Sequence, residues 1–300
     1  MSAYIQQVDV SVTAPSRPLT KSFAGFRDLV VSDTGSVAVL ITNRYAGMRW
    51  PDSTSMTLNG AHRDRVNAQK FLDKFTPGIR VVSVENARRE DIEGQIEKIQ
   101  DDVPPLAVVY VQGHGERKPG AFQYITDDRK RDGTLEGLDG EELLHMFSKV
   151  NIRTMSVVIT DFCYSGNLFR LRYRLFVSPD GKGFCWLETN EWKQDNNVML
   201  KHRITSPMLH VAGSLESQET YETVWRGGYL TNTLAKAEPN TLPAFLFCLR
   251  QGVDGHMRDA KAHPDKPLRQ DANQYPQIFC SCTPSLEDPE FFAQLFPGSD

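Results

Sequence analysis

Two short stretches carry side chains able to do covalent chemistry: Gln112-Gly113-His114-Gly115 and Asp161-Phe162-Cys163-Tyr164-Ser165-Gly166. A thiol attacks a carbonyl carbon as its thiolate, and an imidazole beside it takes the proton and later returns it to the leaving group. Each stretch directly follows a continuous apolar run, Leu106 to Val111 before the histidine and Met155 to Thr160 before the cysteine. Backbone N–H groups at Cys163 and Gly115 are then the candidates for an oxyanion hole. A Gly-His-Gly tripeptide alone is a turn, and a cysteine at a strand end is ordinarily a small core residue. Their shared position at the ends of two apolar runs points to catalysis instead.

The elements that must position these groups can be read from periodicity. Ser36 to Thr42, Arg80 to Val84, Leu106 to Val111, Met155 to Thr160, Met208 to Gly213 and Gln277 to Cys280 are short apolar runs of the kind that form buried strands. Helical spacing marks Ala61–Phe75, Asp91–Ile99, Leu138–Phe147, Tyr229–Lys236 and Leu242–Gly252, with Pro77-Gly78 and Pro104-Pro105 as stops. The alternation predicts an α/β fold, a mostly parallel central sheet of about six strands with helices on both faces. In such a sheet ligands bind beyond the carboxyl ends of the strands, where His114 and Cys163 both fall.

Residues 1–30 read as an N-terminal arm, and residues 31–300 as one catalytic domain. Within it, residues 31–166 form a first part, 167–207 an insertion with an Arg170, Arg172, Arg174 alternation and a strand candidate at Phe184 to Leu187, and 208–300 a second part.

Composition narrows the partners. A formal charge of −4 with no long basic stripe argues against nucleic acid. No apolar run approaches the ~20 residues that span a bilayer, and the first fifteen residues lack the order of a signal peptide. Five irregularly spaced cysteines suit reduced thiols, so the expected location is the cytoplasm, with the nucleus open as well. Neither the seven histidines nor Cys280 and Cys282, which lack a second pair, have the spacing of a metal site. A nucleotide-binding α/β domain is excluded because neither Gly-x-Gly-x-x-Gly nor a Gly-Lys-Ser/Thr loop is present.

The chain resembles the metacaspases, within the caspase-like cysteine peptidases, whose motifs are strand then Ser-Gly-His-Gly and strand then Asp-Ser-Cys-His-Ser-Gly. The 49 residues from His114 to Cys163 agree with the ≈50 that separate the pair in caspases. Leu58 to Asp64 is similar to the family's Leu-x-Gly-x-x-x-Asp segment, and Ser214 to Glu222 to its stretch bearing a glutamine and an acid, here Gln218 and Glu222. Gly227 to Thr231 and Gln274 to Gln277 follow in the family's order. Caspases proper carry Gln-Ala-Cys, which is not found here.

The resemblance implies a caspase-haemoglobinase fold and a Cys163–His114 dyad acting through a thioester. It also implies an acidic pocket of Asp64 and Asp161, with Gln112 at its edge, that takes Arg or Lys before the cleaved bond. It implies peptide or protein substrates and no required cofactor; a monomer is the expected state. Where the family's calcium site has an Asp seven positions after the cysteine, Arg170 stands here, leaving Asp127, Asp128, Asp139 and Glu141 as candidates for a weaker calcium site. Self-cleavage in the insertion, at the arginine run or at Lys193, Lys201 or Arg203, is a further expectation. The competing reading is a catalytically silent caspase-like module that binds partners.

Overall fold

The structure is a computed structural model and describes residues 35–118, 121–195 and 202–298. The N-terminal arm of residues 1–30 and the candidate cleavage position Lys201 lie outside the described residues. The first half of the chain runs β1 (Val37–Thr42), α1 (Ala61–Phe75), β2 (Arg80–Glu85), α2 (Arg89–Asp102) and β3 (Leu106–Gln112). Three strands follow, β4 (His114–Lys118), β5 (Ala121–Arg129) and β6 (Leu135–Asp139), then α3 (Gly140–Ser148) and β7 (Met155–Asp161). The second half has β8 (Tyr173–Val177), β9 (Phe184–Glu188), α4 (Asn190–Asp195), β10 (Met208–Ala212), β11 (Glu222–Thr223) and β12 (Gly227–Gly228). It ends with α5 (Tyr229–Leu234), α6 (Leu242–Lys261), β13 (Gln277–Cys280) and α7 (Pro289–Leu295).

Eight strands form one sheet in the order β2-β1-β3-β7-β10-β13-β8-β9. The first five are parallel, and β13, β8 and β9 are antiparallel to their neighbours. Every residue of β1 and β7 is buried, as expected of strands covered on both faces. Because side chains alternate along a strand, Val108 and Tyr110 pack under α1, α5, α6 and α7, while Ala107 and Val109 pack under α2 and α3.

The expected six strands become eight because the segment read as an insertion supplies β8 and β9, which extend the sheet beyond β13. Of the Arg170, Arg172 and Arg174 run only Arg174 lies in a strand, β8, where Leu175 and Val177 turn inward between exposed residues. α6 continues past Gly252 to Lys261, since Val253 and Met257 extend the stripe made by Leu246 and Leu249. The small sheet β4-β5-β6 was not expected from the sequence. Among the described residues no helix is long and apolar enough to cross a membrane.

Candidate active site

β3 and β7 are paired in parallel with Gln112 opposite Asp161, so the two chemistry-bearing turns leave the sheet side by side. Gly113 N–H donates to the Asp161 carbonyl at 3.4 Å. The next turn is closer still: a Cβ placed on Gly115 would sit 2.0 Å from the Cys163 carbonyl oxygen, so only glycine permits this approach. His114 and Cys163 thereby line one cavity of about 140 Å³, together with Gln112, Asp64, Asp161, Glu222, Thr220 and Gly228. A larger groove of about 360 Å³ lies between α6 and the β8–β9 turn, but it holds no thiol or imidazole.

The imidazole is held from three sides. His114 Nε2 lies 2.6 Å from the Met56 carbonyl oxygen. A carbonyl can only accept, so Nε2 carries the proton and Nδ1 is left as the basic nitrogen. Tyr45 packs over the ring at 4.7 Å between centroids and Trp50 meets it edge-on at 5.1 Å. Tyr45 is itself fixed, its hydroxyl donating to the Ile125 carbonyl at 2.6 Å and accepting from His114 N–H at 3.0 Å. Burial pushes the His114 pKa below its usual value.

The thiol sits under the loop that follows β10. Thr220 N–H donates to Cys163 Sγ at 3.3 Å, and Tyr164 N–H donates to the Gln218 carbonyl at 2.8 Å. Burial raises the thiol pKa above its ordinary value, and Glu219 and Asp161 add to that, while Thr220 works against it. The resting arrangement therefore favours a neutral thiol and a neutral imidazole.

Behind the thiol stand three carboxylates. Asp161 Oδ2 accepts from Thr231 N–H at 3.2 Å and from the Thr231 hydroxyl at 2.5 Å, so it caps the start of α5. Asp64 Oδ1 accepts from Gly228 N–H at 2.6 Å, whereas Asp64 Oδ2 is buried with no hydrogen-bond partner among the described residues. Glu222 Oε1 accepts from Gly60 N–H at 3.1 Å. Gly228 threads between the two aspartates, where a Cβ would lie 2.4 Å from Asp161 Oδ2. Burial raises all three acids: Asp161 to about 6, Asp64 well above its ordinary value with the Asp161 charge adding, and Glu222 upward likewise. The cavity lining thus holds three carboxylates and no Lys or Arg side chain among the described residues.

Gln112 lies within this lining, its Oε1 accepting from Asn43 N–H at 3.1 Å at the end of β1. Asp127, Asp128, Asp139 and Glu141 stand apart from it. Asp139 caps α3 by accepting from Glu142 N–H at 2.8 Å, Asp128 accepts from the Thr126 hydroxyl at 2.5 Å, and Glu141 is ion-paired with Arg170. Burial raises the Asp127 carboxyl, helped by the Asp128 charge. Among the described residues no three His, Cys, Asp or Glu side chains are grouped to hold a metal ion.

Sequence reading did not single out Met56, Tyr45, Trp50 or Thr220, whose contributions come from backbone atoms or ring faces without a motif. Glu222 stood in the family-like stretch without a pocket role. Trp225, 83% exposed at the tip between β11 and β12, also went unnoticed, and it stands on the hairpin whose residues Glu222 and Gly228 line the cavity.

The caspase-domain family profile matches residues 36–286. No curated protein matches the sequence. Among solved structures, caspase-1 from Spodoptera frugiperda is similar with a TM-score of 0.54 at 15% identity, covering 81% of this chain and 85% of its own. A structural-genomics protein from Geobacter sulfurreducens aligns with a TM-score of 0.50 at 16% identity, over 86% of this chain and 96% of its own. At these identities the likeness concerns the fold.

Proposed function

This chain belongs to the caspase-domain family of cysteine peptidases, and from that premise we propose that it is a metacaspase-type endopeptidase cleaving after Arg or Lys. The observation that carries the specificity is the placement of Asp64, Asp161 and Glu222 in one cavity with Cys163 and His114. A guanidinium or ammonium entering there meets Asp64 Oδ2, which lacks any other partner. An aspartate side chain would meet three acids. The resemblance of the two motifs to those of metacaspases supports the same choice.

In the proposed reaction His114 Nδ1 takes the Cys163 proton as the thiolate attacks the carbonyl carbon. The Met56 carbonyl holds the resulting imidazolium through Nε2–H. Backbone N–H groups of Gly115 and Cys163 receive the oxyanion, the imidazolium protonates the departing amine, and water then cleaves the thioester. Thr220 covers the thiol at rest, so substrate entry displaces its N–H from Sγ. The apolar face of Trp225 offers a platform for a neighbouring substrate side chain.

No cofactor is required by this chemistry. Arg170 occupies the position of the family's calcium-binding aspartate and takes Glu141 for itself, and Asp139 is committed to its helix. Activity is accordingly proposed to be independent of calcium. The protein acts as a monomer in this reading, with β8 and β9 extending the sheet beyond β13.

The deciding experiment is hydrolysis of matched fluorogenic peptides ending in Arg, Lys or Asp, with calcium or chelator, by wild type and Cys163→Ala. Cleavage of the Arg and Lys peptides alone, abolished in the variant and unchanged by calcium, is expected. If no peptide is cut under any condition, the silent binding module becomes the better description.

A further inference from the structure

Two sulfur atoms far along the sequence from Cys163 lie in contact. Cys280 ends β13 and Cys282 follows two residues later, where the chain has bent, and their Sγ atoms are 3.5 Å apart. In an extended strand, residues two apart share a face but stand about 7 Å from each other, so the bend at Ser281 makes this contact. The bend is fastened from the opposite side: Ser281 N–H donates to the Met208 carbonyl at 3.0 Å, and Met208 N–H donates to the Ser281 hydroxyl oxygen at 2.9 Å. With the intervening residue clamped to β10, the two thiols are held side by side.

Their surroundings differ. Cys280 is fully buried in the core, whereas Cys282 is only partly buried at the core edge. The neighbouring Cys280 sulfur lowers the Cys282 pKa, while burial holds Cys280 well above the ordinary value. Burial raises Cys163, Cys185 and Cys248 as well. Of the five cysteines, the thiolate therefore forms first at Cys282, next to a thiol in place to resolve an oxidised sulfur.

We infer that Cys280 and Cys282 form a second, non-catalytic cysteine site, a dithiol that a hydroperoxide converts to a disulfide. The Cys282 thiolate attacks the outer peroxide oxygen, breaking the O–O bond and releasing an alkoxide or hydroxide that is then protonated. The Cys280 sulfur displaces water from the resulting sulfenic acid and loses its proton, closing the S–S bond. Two thiols and one hydroperoxide give one disulfide, one alcohol or water molecule, and one further water. The sulfurs approach from 3.5 Å to about 2.05 Å as the bond closes. The oxidant is spent here before it reaches the protonated, loop-covered thiol of Cys163.

The test does not depend on peptidase activity. Reduced, folded protein is given one equivalent of hydrogen peroxide, quenched with catalase, alkylated in urea and digested with trypsin without reductant. The tryptic peptide following Arg269 contains both residues and no other cysteine. It is expected to be unalkylated and about 2 mass units lighter than the dithiol form, with Cys163, Cys185 and Cys248 fully alkylated. Oxidation of any of those three while Cys280 and Cys282 are alkylated overturns the inference. In Cys282→Ser, peroxide consumption is expected to fall at least about tenfold with Cys280 remaining reduced. An unchanged rate also overturns it, and should that variant not fold, the wild-type map decides alone.

Discussion

Asp64 and Asp161 each give one oxygen to the backbone of the β12–α5 corner and both line the cavity, so each is both a structural acceptor and a candidate for binding a cation. Asparagine preserves the acceptor and removes the charge. Asp161→Asn is therefore expected to fold normally while losing a buried charge pair with the substrate, worth about 2–5 kcal/mol, or roughly 30-fold or more in kcat/KM on Arg peptides. Steady-state kinetics with Arg and citrulline peptides check this, because citrulline keeps the shape without the charge and should be indifferent to the substitution. The pH profile follows from the same groups. With Asp161 raised to about 6 by burial, the empty pocket holds protons that an incoming guanidinium must expel. Cleavage of Arg peptides should accordingly rise with pH through about 6, and that limb should be missing with citrulline, whose profile reports His114 alone. Identical acid limbs for the two peptides would sink the pocket assignment.

At the scale of elements, the register of β3 on β7 does most of the positioning, and Gly115 sets how tightly the following turns close. Gly115→Ala places a methyl group 2.0 Å from the Cys163 carbonyl, forcing β4 away from the nucleophile turn. Overpacking of this kind costs about 1–3 kcal/mol, which a chain of this size tolerates. We expect unchanged circular dichroism and a loss of at least 100-fold in kcat/KM, since misplacement by about 1 Å is enough for that; retained activity would mean that the close approach is not used. The histidine and cysteine turns were legible in the sequence because each follows a largely apolar, almost wholly buried strand, where periodicity leaves little choice. The β4-β5-β6 sheet was not, because little of β5 is buried beyond Tyr124, Ile125 and Thr126, and its flanks are polar. Thr220 over the thiol was equally hidden, since a backbone N–H has no signature in residue type.

For the whole molecule, the alternation of strands and helices was enough to give an α/β sheet with two covered faces, but not its width. The 167–207 segment looked like an insertion because Arg170, Arg172 and Arg174 break any apolar run, yet Leu175 and Val177 between exposed residues suffice for a strand that pairs with β13. The carboxylate cluster has a consequence that only global stability reports. Asp161, ordinarily near 3.8 and about 6 when folded, binds more protons in the folded than in the unfolded chain between those values, and Asp64 and Glu222 are displaced the same way. The Asp161 contribution is thus complete below pH 3.8 and lost as pH rises through about 6, opposite in sign to an ion-paired carboxylate, and those of Asp64 and Glu222 fall with rising pH in the same direction. At pH 7.5 the empty pocket confines charges that no cation offsets, and Asp64→Asn/Asp161→Asn should melt higher than wild type. Below pH 3.8 the two proteins should melt almost together, because the aspartates are then protonated in the folded and the unfolded chain alike. Melting curves across that range isolate the effect as a difference, cancelling the surface carboxylates common to both. A reversible arginine-aldehyde inhibitor should raise the wild-type Tm at pH 7.5 and leave the double variant little changed. A Tm difference that does not vary with pH would show that the three acids are not charged together, and the cavity would then lose its claim to a basic side chain.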